Sequence, residues 1–257
     1  MNKDSLLRVS GVTKRFGGLA ALEDVSLDVR LGEIYGLIGP NGAGKTTLFN
    51  CMTGLYSLTA GEVQLDGAAL QGLKPHQIVE QGFARTFQNI RLFANMTALE
   101  NVMVGRHARS RTGILGAVLR DRRTRAEEAN IRAKALHLMD FVGLHNKSRS
   151  LAGHLAYGDQ RRLEVARAVA TEPKVLALDE PVAGMNPSER RQMGELFQRV
   201  REGGVTLLLI EHDVKLVMGL CDRVAVLDYG RKIAEGDAAS VQRDAAVIAA
   251  YLGGDPA

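Results

Sequence analysis

Apolar and polar residues alternate near the N-terminus of the chain, and continuous apolar runs follow further along. The alternation is clearest from Leu22 to Val29, and Leu6 to Val9 has a similar composition. A period of two residues predicts strands with one buried face. The continuous runs predict strands buried on both faces, as in a parallel sheet; they lie at 33–38, 174–178 and 205–210.

A different spacing dominates from about residue 91 to residue 157. Ile131, Ala135, Leu138, Met139 and Val142 recur at steps of three or four residues. This period predicts an amphipathic helix over 127–142 and a mainly helical segment around it. A second helix is predicted to start at Asn186, with Asn as the cap, proline next and a glutamate at the third helical position.

Strands that alternate with helices predict an α/β fold with a mainly parallel central sheet. The N-terminal strands predict an antiparallel β subdomain, and Asp66-Gly67 and Asp228-Tyr229-Gly230-Arg231 are typical of hairpin turns. We expect a core that carries the antiparallel subdomain, an inserted helical subdomain, and a short C-terminal helix with a tail. Their predicted limits are 1–90 with 163–241, 91–162, and 242–257.

Composition narrows the class of protein only modestly. The 257 residues are 46% hydrophobic and 24% charged, and the formal net charge of +4 gives little reason to expect a nucleic-acid partner. Cys51 and Cys221 lie far apart and are expected to be small buried side chains in a reducing compartment. No stretch approaches the roughly 20 apolar residues of a membrane helix, and the N-terminus lacks the apolar core of a signal peptide. We therefore expect a cytoplasmic chain.

The segment after the first buried run carries the most specific chemical signal. It fits the pattern G-x-x-x-x-G-K-[ST], in which glycines let successive backbone N–H groups point at phosphate oxygens. Lys45 is expected to reach the β- and γ-phosphates of a nucleotide, and the Thr46 hydroxyl to bind Mg²⁺. The predicted nucleotide-binding residues are Gly39, Pro40, Asn41, Gly42, Ala43, Gly44, Lys45, Thr46 and Thr47.

Two carboxylates, Asp179 and Glu180, follow the buried run at 174–178. Ligands bind at this end of the strands in open α/β sheets. Asp179 is predicted to hold Mg²⁺, directly or through water. Glu180 is predicted to act as the general base that activates the attacking water.

The segment Leu155-Ala156-Tyr157-Gly158-Asp159-Gln160 resembles the signature of ABC ATPases, whose common form is Leu-Ser-Gly-Gly-Gln. A helix is predicted to begin near Asp159. The resemblance implies a P-loop NTPase fold of the ABC type, and an ATP site completed by the signature of a second chain. It implies nucleotide contacts for Ala156, Tyr157, Gly158 and Asp159.

This match is imperfect, because alanine stands at 156 in place of serine, tyrosine at 157 in place of glycine and aspartate at 159 in place of glutamine. Two hypotheses remain open. The site that uses this signature could turn over slowly, or a subfamily could tolerate the changes without functional asymmetry.

The other motifs of the family occur in the expected order. By resemblance, Gln88 in the Q-loop senses Mg²⁺ and water, and His212 contacts the γ-phosphate and holds the attacking water. Phe16 matches the aromatic residue that stacks on adenine. Ala183-Gly184-Met185-Asn186 resembles the D-loop, with asparagine where aspartate is usual.

Within the family the chain resembles the larger of the two ATP-binding subunits of branched-chain amino-acid importers. The features are Leu-Ala-Tyr-Gly at 155–158, Ala-Gly-Met-Asn-Pro at 183–187, the long segment before the signature and Ala-Tyr-Leu-Gly at 250–253. The resemblance implies membrane permease subunits as partners, a second ATP-binding subunit or a second copy of this chain, and, indirectly, an external substrate-binding protein. It places the chain on the cytoplasmic face of the plasma membrane.

Two alternatives to an importer of branched-chain amino acids remain at this stage. A soluble ABC ATPase of an assembly system, such as iron–sulfur cluster biogenesis, shares the ATP motifs, and lipopolysaccharide-export ATPases share much of the tail. The arginines of the long segment could form a solvated basic face or contact anionic headgroups or an acidic partner loop; they are Arg106, Arg109, Arg111, Arg120, Arg122, Arg123 and Arg125.

Overall fold

The computed structural model describes residues 5–107 and 122–252, in which ten strands and nine helices form three layers. The strands are β1 Ser5–Phe16, β2 Leu19–Arg30, β3 Ile34–Ile38, β4 Ala60–Leu65, β5 Ala68–Ala69, β6 Phe83–Arg85, β7 Val175–Asp179, β8 Thr206–Ile210, β9 Arg223–Asp228 and β10 Arg231–Gly236. The helices are α1 Lys45–Met52, α2 Pro75–Gln81, α3 Ala98–His107, α4 Arg122–Phe141, α5 Tyr157–Val169, α6 Pro187–Glu202, α7 Val214–Leu220, α8 Ala238–Gln242 and α9 Ala245–Leu252.

The central sheet has the order β10-β9-β3-β8-β7-β6, and every pair in it is parallel except β9 with β10. Its strands are buried on both faces because alternate residues face two separate cores. In β8, for example, Leu207 and Leu209 belong to one core cluster, and Leu208 and Ile210 belong to the other. The predicted buried strands and the mainly parallel sheet are confirmed.

A four-stranded antiparallel sheet, β2-β1-β4-β5, packs on one side of the central sheet. Asp66 and Gly67 form its predicted two-residue turn with positive φ angles of 50° and 77°. Tyr229 and Gly230 do the same between β9 and β10. Both predicted hairpins are confirmed.

Helices cover the other side of the central sheet. The cap of α6 is as predicted: the Asn186 side chain accepts hydrogen bonds from the backbone N–H groups of Ser188 and Glu189, at 3.0 Å each, and the Glu189 side chain bonds back to Asn186. The predicted helix over 127–142 is α4, which packs on α3 and α5. Cys51 and Cys221 are buried and free, as expected.

The predicted start of the signature helix is wrong by two residues. The helix α5 begins at Tyr157, with Ala156 in an extended conformation as its cap, and the Gln160 N–H already bonds to the Ala156 carbonyl at 2.9 Å. The early start has a local cause: the Tyr157 side chain is held by hydrogen bonds to Ala183 and to Arg161, one turn later in the helix.

The basic insertion is only partly within the described residues. Arg109, Arg111 and Arg120 lie outside them, as do the side chains of Arg122 and Arg123. Arg106, by contrast, forms an ion pair with Glu172 at 2.6 Å, so its charge has a partner inside the fold. In the part of the chain that the structure describes, no helix is both long and apolar enough to cross a membrane.

Candidate active site

The phosphate loop connects β3 to α1 at the carboxyl edge of the central sheet. Two of its glycines are required by space as well as by backbone conformation. A Cβ on Gly39 would lie 2.1 Å from the Leu227 carbonyl oxygen, and one on Gly44 would lie 2.9 Å from the Ala21 carbonyl oxygen. The loop therefore packs against β2 and β9 while its N–H groups remain available for an anion.

Lys45 lies inside the curve of this loop. Its Nζ donates to the carbonyl oxygens of Gly39, at 2.7 Å, and Pro40, at 2.9 Å. Burial lowers the pKa of Lys45 from its ordinary value, and the nearby carboxylates of Glu180 and Asp179 oppose that shift. The ammonium is held at the centre of the loop, where a bound phosphate chain would have to lie.

Asp179 ends β7 and is almost completely buried. Burial raises its pKa, and the Arg85 guanidinium, whose Nη2 is 3.6 Å from Asp179 Oδ2, opposes the rise. Arg85 also donates to Asn50 Oδ1 and Thr53 Oγ1 and lies over the rings of Phe49 and Phe87. Because the positive charge does not fully offset burial, Asp179 is a carboxylate whose ionised form a cation would stabilise.

Glu180, Gln88 and His212 meet beside Lys45. Gln88 Nε2 donates to Glu180 Oε2 at 3.0 Å, and His212 Nδ1 lies 3.7 Å from the same oxygen. Glu180 has a positive φ of 46°, a strained backbone for a residue with a side chain. Its N–H bonds to the Ile210 carbonyl at 2.9 Å, which ties it to β8. The side chains of these three residues, which were predicted from separate motifs, thus lie together at one site.

A cavity of about 540 Å³ opens over the phosphate loop. Its lining unites predicted residues from the loop, 41–47, with Gln88 and Glu180. It also includes residues that the sequence analysis missed, Leu19, Ala20, Ala21, Tyr229 and Gly230. They come from the start of β2 and from the turn between β9 and β10, and no nucleotide-binding motif marks them in the sequence.

Phe16 is not part of this lining. Its ring is half-exposed, contacts the Tyr56 ring edge-on with centroids 5.4 Å apart, and lies 4.8 Å from Lys14 Nζ. Adenine stacking by Phe16 stays a prediction. Tyr251 approaches the loop from the other end of the chain: burial raises the pKa of its hydroxyl, and a hydrogen bond from the Gly39 backbone N–H opposes the rise.

The signature residues lie on a separate surface. Ala156, Gly158 and Asp159 line a small cavity of about 100 Å³ together with Met185 and Glu189. Among the described residues, this cavity and the one over the phosphate loop have no lining residue in common, so the signature and the phosphate loop lie on different surfaces of the chain.

The Asp159 carboxylate is buried and forms ion pairs with Lys147 and Arg162. Burial disfavours its charged form, but the hydrogen bonds from Lys147 and Arg162 outweigh burial and lower the pKa of Asp159. An acidic residue in the first turn is also favourable for the dipole of α5. The extra negative charge of this signature is therefore neutralised inside its own chain.

Comparisons with known proteins agree with this geometry. A family model described as ABC transporter matches residues 22–183, and one described as branched-chain amino acid ATP-binding cassette transporter matches residues 231–257. The chain is 46% identical to the high-affinity branched-chain amino acid transport ATP-binding protein LivG of Salmonella typhimurium over 249 residues, which cover 96% of this chain and 98% of that one.

Solved structures of ATP-binding cassettes have the same fold. A nucleotide-free ATP-binding cassette from an ABC transporter superposes with a TM-score of 0.83 and 31% identity, covering 96% of this chain and 98% of that chain. The dimeric post-hydrolysis state of the cassette MJ0796 with ADP and Pi gives 0.76 and 25%, covering 91% and 99%. The chain thus belongs to the ABC transporter ATPases and is similar over nearly its whole length to their branched-chain amino-acid transport ATP-binding proteins.

Proposed function

We propose that this ABC ATPase hydrolyses ATP between two nucleotide-binding chains and thereby drives import of branched-chain amino acids through separate membrane permeases. The observation that carries the proposal is the cluster of Gln88, Glu180 and His212, of which Gln88 and Glu180 line the phosphate-loop cavity. It combines a general base, a water-positioning amide and an imidazole at the edge of a buried lysine site. The signature on a separate surface of the chain favours a site shared by two chains.

The phosphate loop and Lys45 would bind the phosphates of ATP. Thr46, Gln88 and Asp179 offer hydroxyl, amide and carboxylate oxygens, the ligand types that Mg²⁺ prefers. The buried Asp179, with its raised pKa, fits a cation site. When bound there, Mg²⁺ would neutralise charge on the phosphates. Phe16 and Thr47 are proposed as further nucleotide contacts.

Glu180 would act as the general base for in-line attack of water on the γ-phosphate. Gln88 Nε2 and His212 Nδ1 both approach Glu180 Oε2, so these two side chains would hold the carboxylate and the attacking water together. Lys45 would stabilise the charge that develops on the phosphoryl group.

The second chain would contribute Ala156, Tyr157, Gly158 and Asp159, so that the start of its helix α5 faces the γ-phosphate. The partner is a second ATP-binding subunit or a second copy of this chain. The dimeric form of the cassette MJ0796 supports this arrangement. The division into a core and a helical subdomain, 1–90 with 163–241 against 91–162, is proposed to separate ATP binding from the signature, although α5 continues across its limit.

A groove of about 390 Å³ beside the Q-loop is the proposed docking site for the permeases. Its lining is mostly apolar, with Leu55 and Phe93 each about half exposed. Phe87 and Arg85 line the same groove and adjoin Gln88 and Asp179 in sequence or space. A permease segment in this groove would therefore contact the neighbours of the catalytic residues. The names of the relatives support an amino-acid cargo. Delivery of that cargo by an external substrate-binding protein and a location on the cytoplasmic face of the membrane are parts of the same proposal.

The assignment of the base is tested with Glu180→Gln, which keeps the shape of the side chain and an oxygen that accepts from Gln88. We expect ATP binding to persist and phosphate release to fall by about 100-fold or more. A stable dimer with bound ATP should then be detected by size-exclusion chromatography with light scattering. Normal hydrolysis by this variant would show that another group is the base.

The partner class is tested by affinity purification of the Glu180→Gln chain with ATP from detergent-solubilised membranes, with mass spectrometry of the captured proteins. Two polytopic permeases and a second ATPase are expected. Phe93→Glu places a charge in the groove and should abolish this capture. Leu31→Glu, at an exposed apolar residue outside the groove, is the control and should retain it. Capture of soluble proteins alone would favour an assembly ATPase.

A further inference from the structure

Tyr157, which stands where the common signature has glycine, is one member of a closed ring of hydrogen bonds. Its hydroxyl donates to the Ala183 carbonyl at 2.9 Å and accepts from Arg161 Nε at 3.1 Å and Nη2 at 2.9 Å. Arg161 Nη2 also donates to the Gln88 carbonyl at 2.5 Å. The Ala183 N–H bonds to the Glu180 carbonyl at 3.2 Å. The ring closes where Gln88 Nε2 donates to Glu180 Oε2.

Every hydrogen-bond donor of the Arg161 side chain is used within this network. The side chain is buried and donates one hydrogen bond from Nε, two from Nη1 and two from Nη2, so all five N–H groups of the guanidinium have an acceptor. Besides Tyr157 and Gln88, the acceptors are the Phe87 carbonyl and the buried Glu164 carboxylate. A lysine has no planar fork and could not make these bonds together.

The positions of Gln88 and Glu180 depend on contacts with the rest of the fold. Gln88 is an exposed residue on a loop, and Glu180 has a positive φ of 46° and begins the loop that follows β7. The direct bond between their side chains is a single contact that solvent can reach. Tyr157 and Arg161 connect the backbones of both residues through α5, a helix packed in the core.

We propose that Tyr157 and Arg161 are positioning residues, which set the distance between the water-positioning amide of Gln88 and the carboxylate of Glu180 within the same chain. The inference rests on the proposed roles of Gln88 and Glu180 in hydrolysis. It gives Tyr157 a role in its own chain's site, in addition to any contact that the signature makes across a dimer. A glycine at position 157 has no hydroxyl and would leave the ring open.

The test is Tyr157→Phe in the full-length chain, which removes the hydroxyl and keeps the ring. We expect kcat for ATP hydrolysis to fall about tenfold, equal to about 1.4 kcal/mol of transition-state stabilisation. The KM for ATP should stay within about twofold, because the phosphate loop is unchanged. Arg161→Lys should lower kcat in the same way. Tyr35→Phe is the control: it removes the same hydroxyl group, which there donates one hydrogen bond to Glu235, and it should leave kcat unchanged.

A double-mutant cycle with Gln88→Ala separates positioning from a general loss of structure. If Tyr157 acts through Gln88, the phenylalanine substitution has no further effect on kcat in the Gln88→Ala chain. Multiplicative losses, or a normal kcat in the single Tyr157→Phe variant, would overturn the inference. A normal kcat in Gln88→Ala alone would instead remove the proposed role of Gln88, and the inference with it.

Discussion

Replacing Asp159 by asparagine tests how the signature tolerates its additional charge. The change keeps the shape of the side chain but removes the negative charge that Lys147 and Arg162 neutralise. The two cations would then face each other and the positive end of α5 without compensation. We expect a loss of folding stability, measurable in the purified chain without nucleotide.

The size of the loss follows from the exposure of the partners. The Lys147 side chain is 49% exposed, so its pair with Asp159 is screened and contributes about 0.5 kcal/mol. The Arg162 side chain is 29% exposed and bonds to a buried carboxylate, which is worth about 1.5 kcal/mol. The sum of roughly 2 kcal/mol corresponds to a Tm lower by about 4–8 °C for a chain of this size.

The loss should depend on pH. The pKa of Asp159 is below its ordinary value of 3.8 in the folded chain, so its contribution is present above that value and is lost as the pH falls through the folded pKa. Scanning calorimetry at pH 7 should therefore separate the variant from the parent chain. Urea unfolding at decreasing pH should show the difference in stability between the two chains beginning to shrink below about pH 4 and disappearing only below the folded pKa of Asp159.

Asp140→Asn is the control, because Asp140 is an exposed carboxylate near the end of α4. A surface substitution of this kind should change stability by about 0.5 kcal/mol or less. Equal Tm values for the two variants would refute the view that Asp159 is neutralised inside its own chain. So would a difference that persists unchanged at pH 3.

Two further predictions concern charge and capping in the proposed ATP site. Asp179→Asn should abolish ATP hydrolysis, measured as phosphate release. The Tm of this variant, measured by calorimetry, should stay the same or rise, because burial raises the pKa of Asp179 and disfavours its charged form. A lower Tm would contradict the reasoning. Ala156→Ser restores a capping hydroxyl to α5 and should raise stability by about 0.5–1 kcal/mol in urea unfolding without changing kcat. A faster hydrolysis rate in this variant would instead support a slow site.

Much of the fold follows from local patterns in the sequence. The buried strands β3, β7 and β8 are continuous apolar runs, and the cap of α6 is written in Asn186, Pro187 and Glu189. The strand β6 was missed because it is only three residues long and gains its stability from pairing with β7. Periodicity cannot detect a strand that has fewer than two full periods.

The contacts within the candidate site were harder to predict from the sequence. The bond between Gln88 and Glu180 spans 92 residues, and the bond between Arg161 and Gln88 spans 73. Each depends on how β7 lies beside β6 and how α5 packs against the Q-loop. Motifs predicted which residues take part, but the pairs among them are set by tertiary packing.

The departures from the common signature differ in what they do. Asp159 brings a charge that its own chain neutralises, whereas Tyr157 brings a hydroxyl that connects to Ala183 and Arg161. Neither effect could be inferred from the substituted residue alone, because each depends on a partner outside the motif or one turn further along α5. The substitutions at 157 and 159 are therefore better understood as parts of two local networks than as a weakened version of the common sequence. On this view, replacing either residue by its common counterpart should impair the chain unless the partners are changed as well.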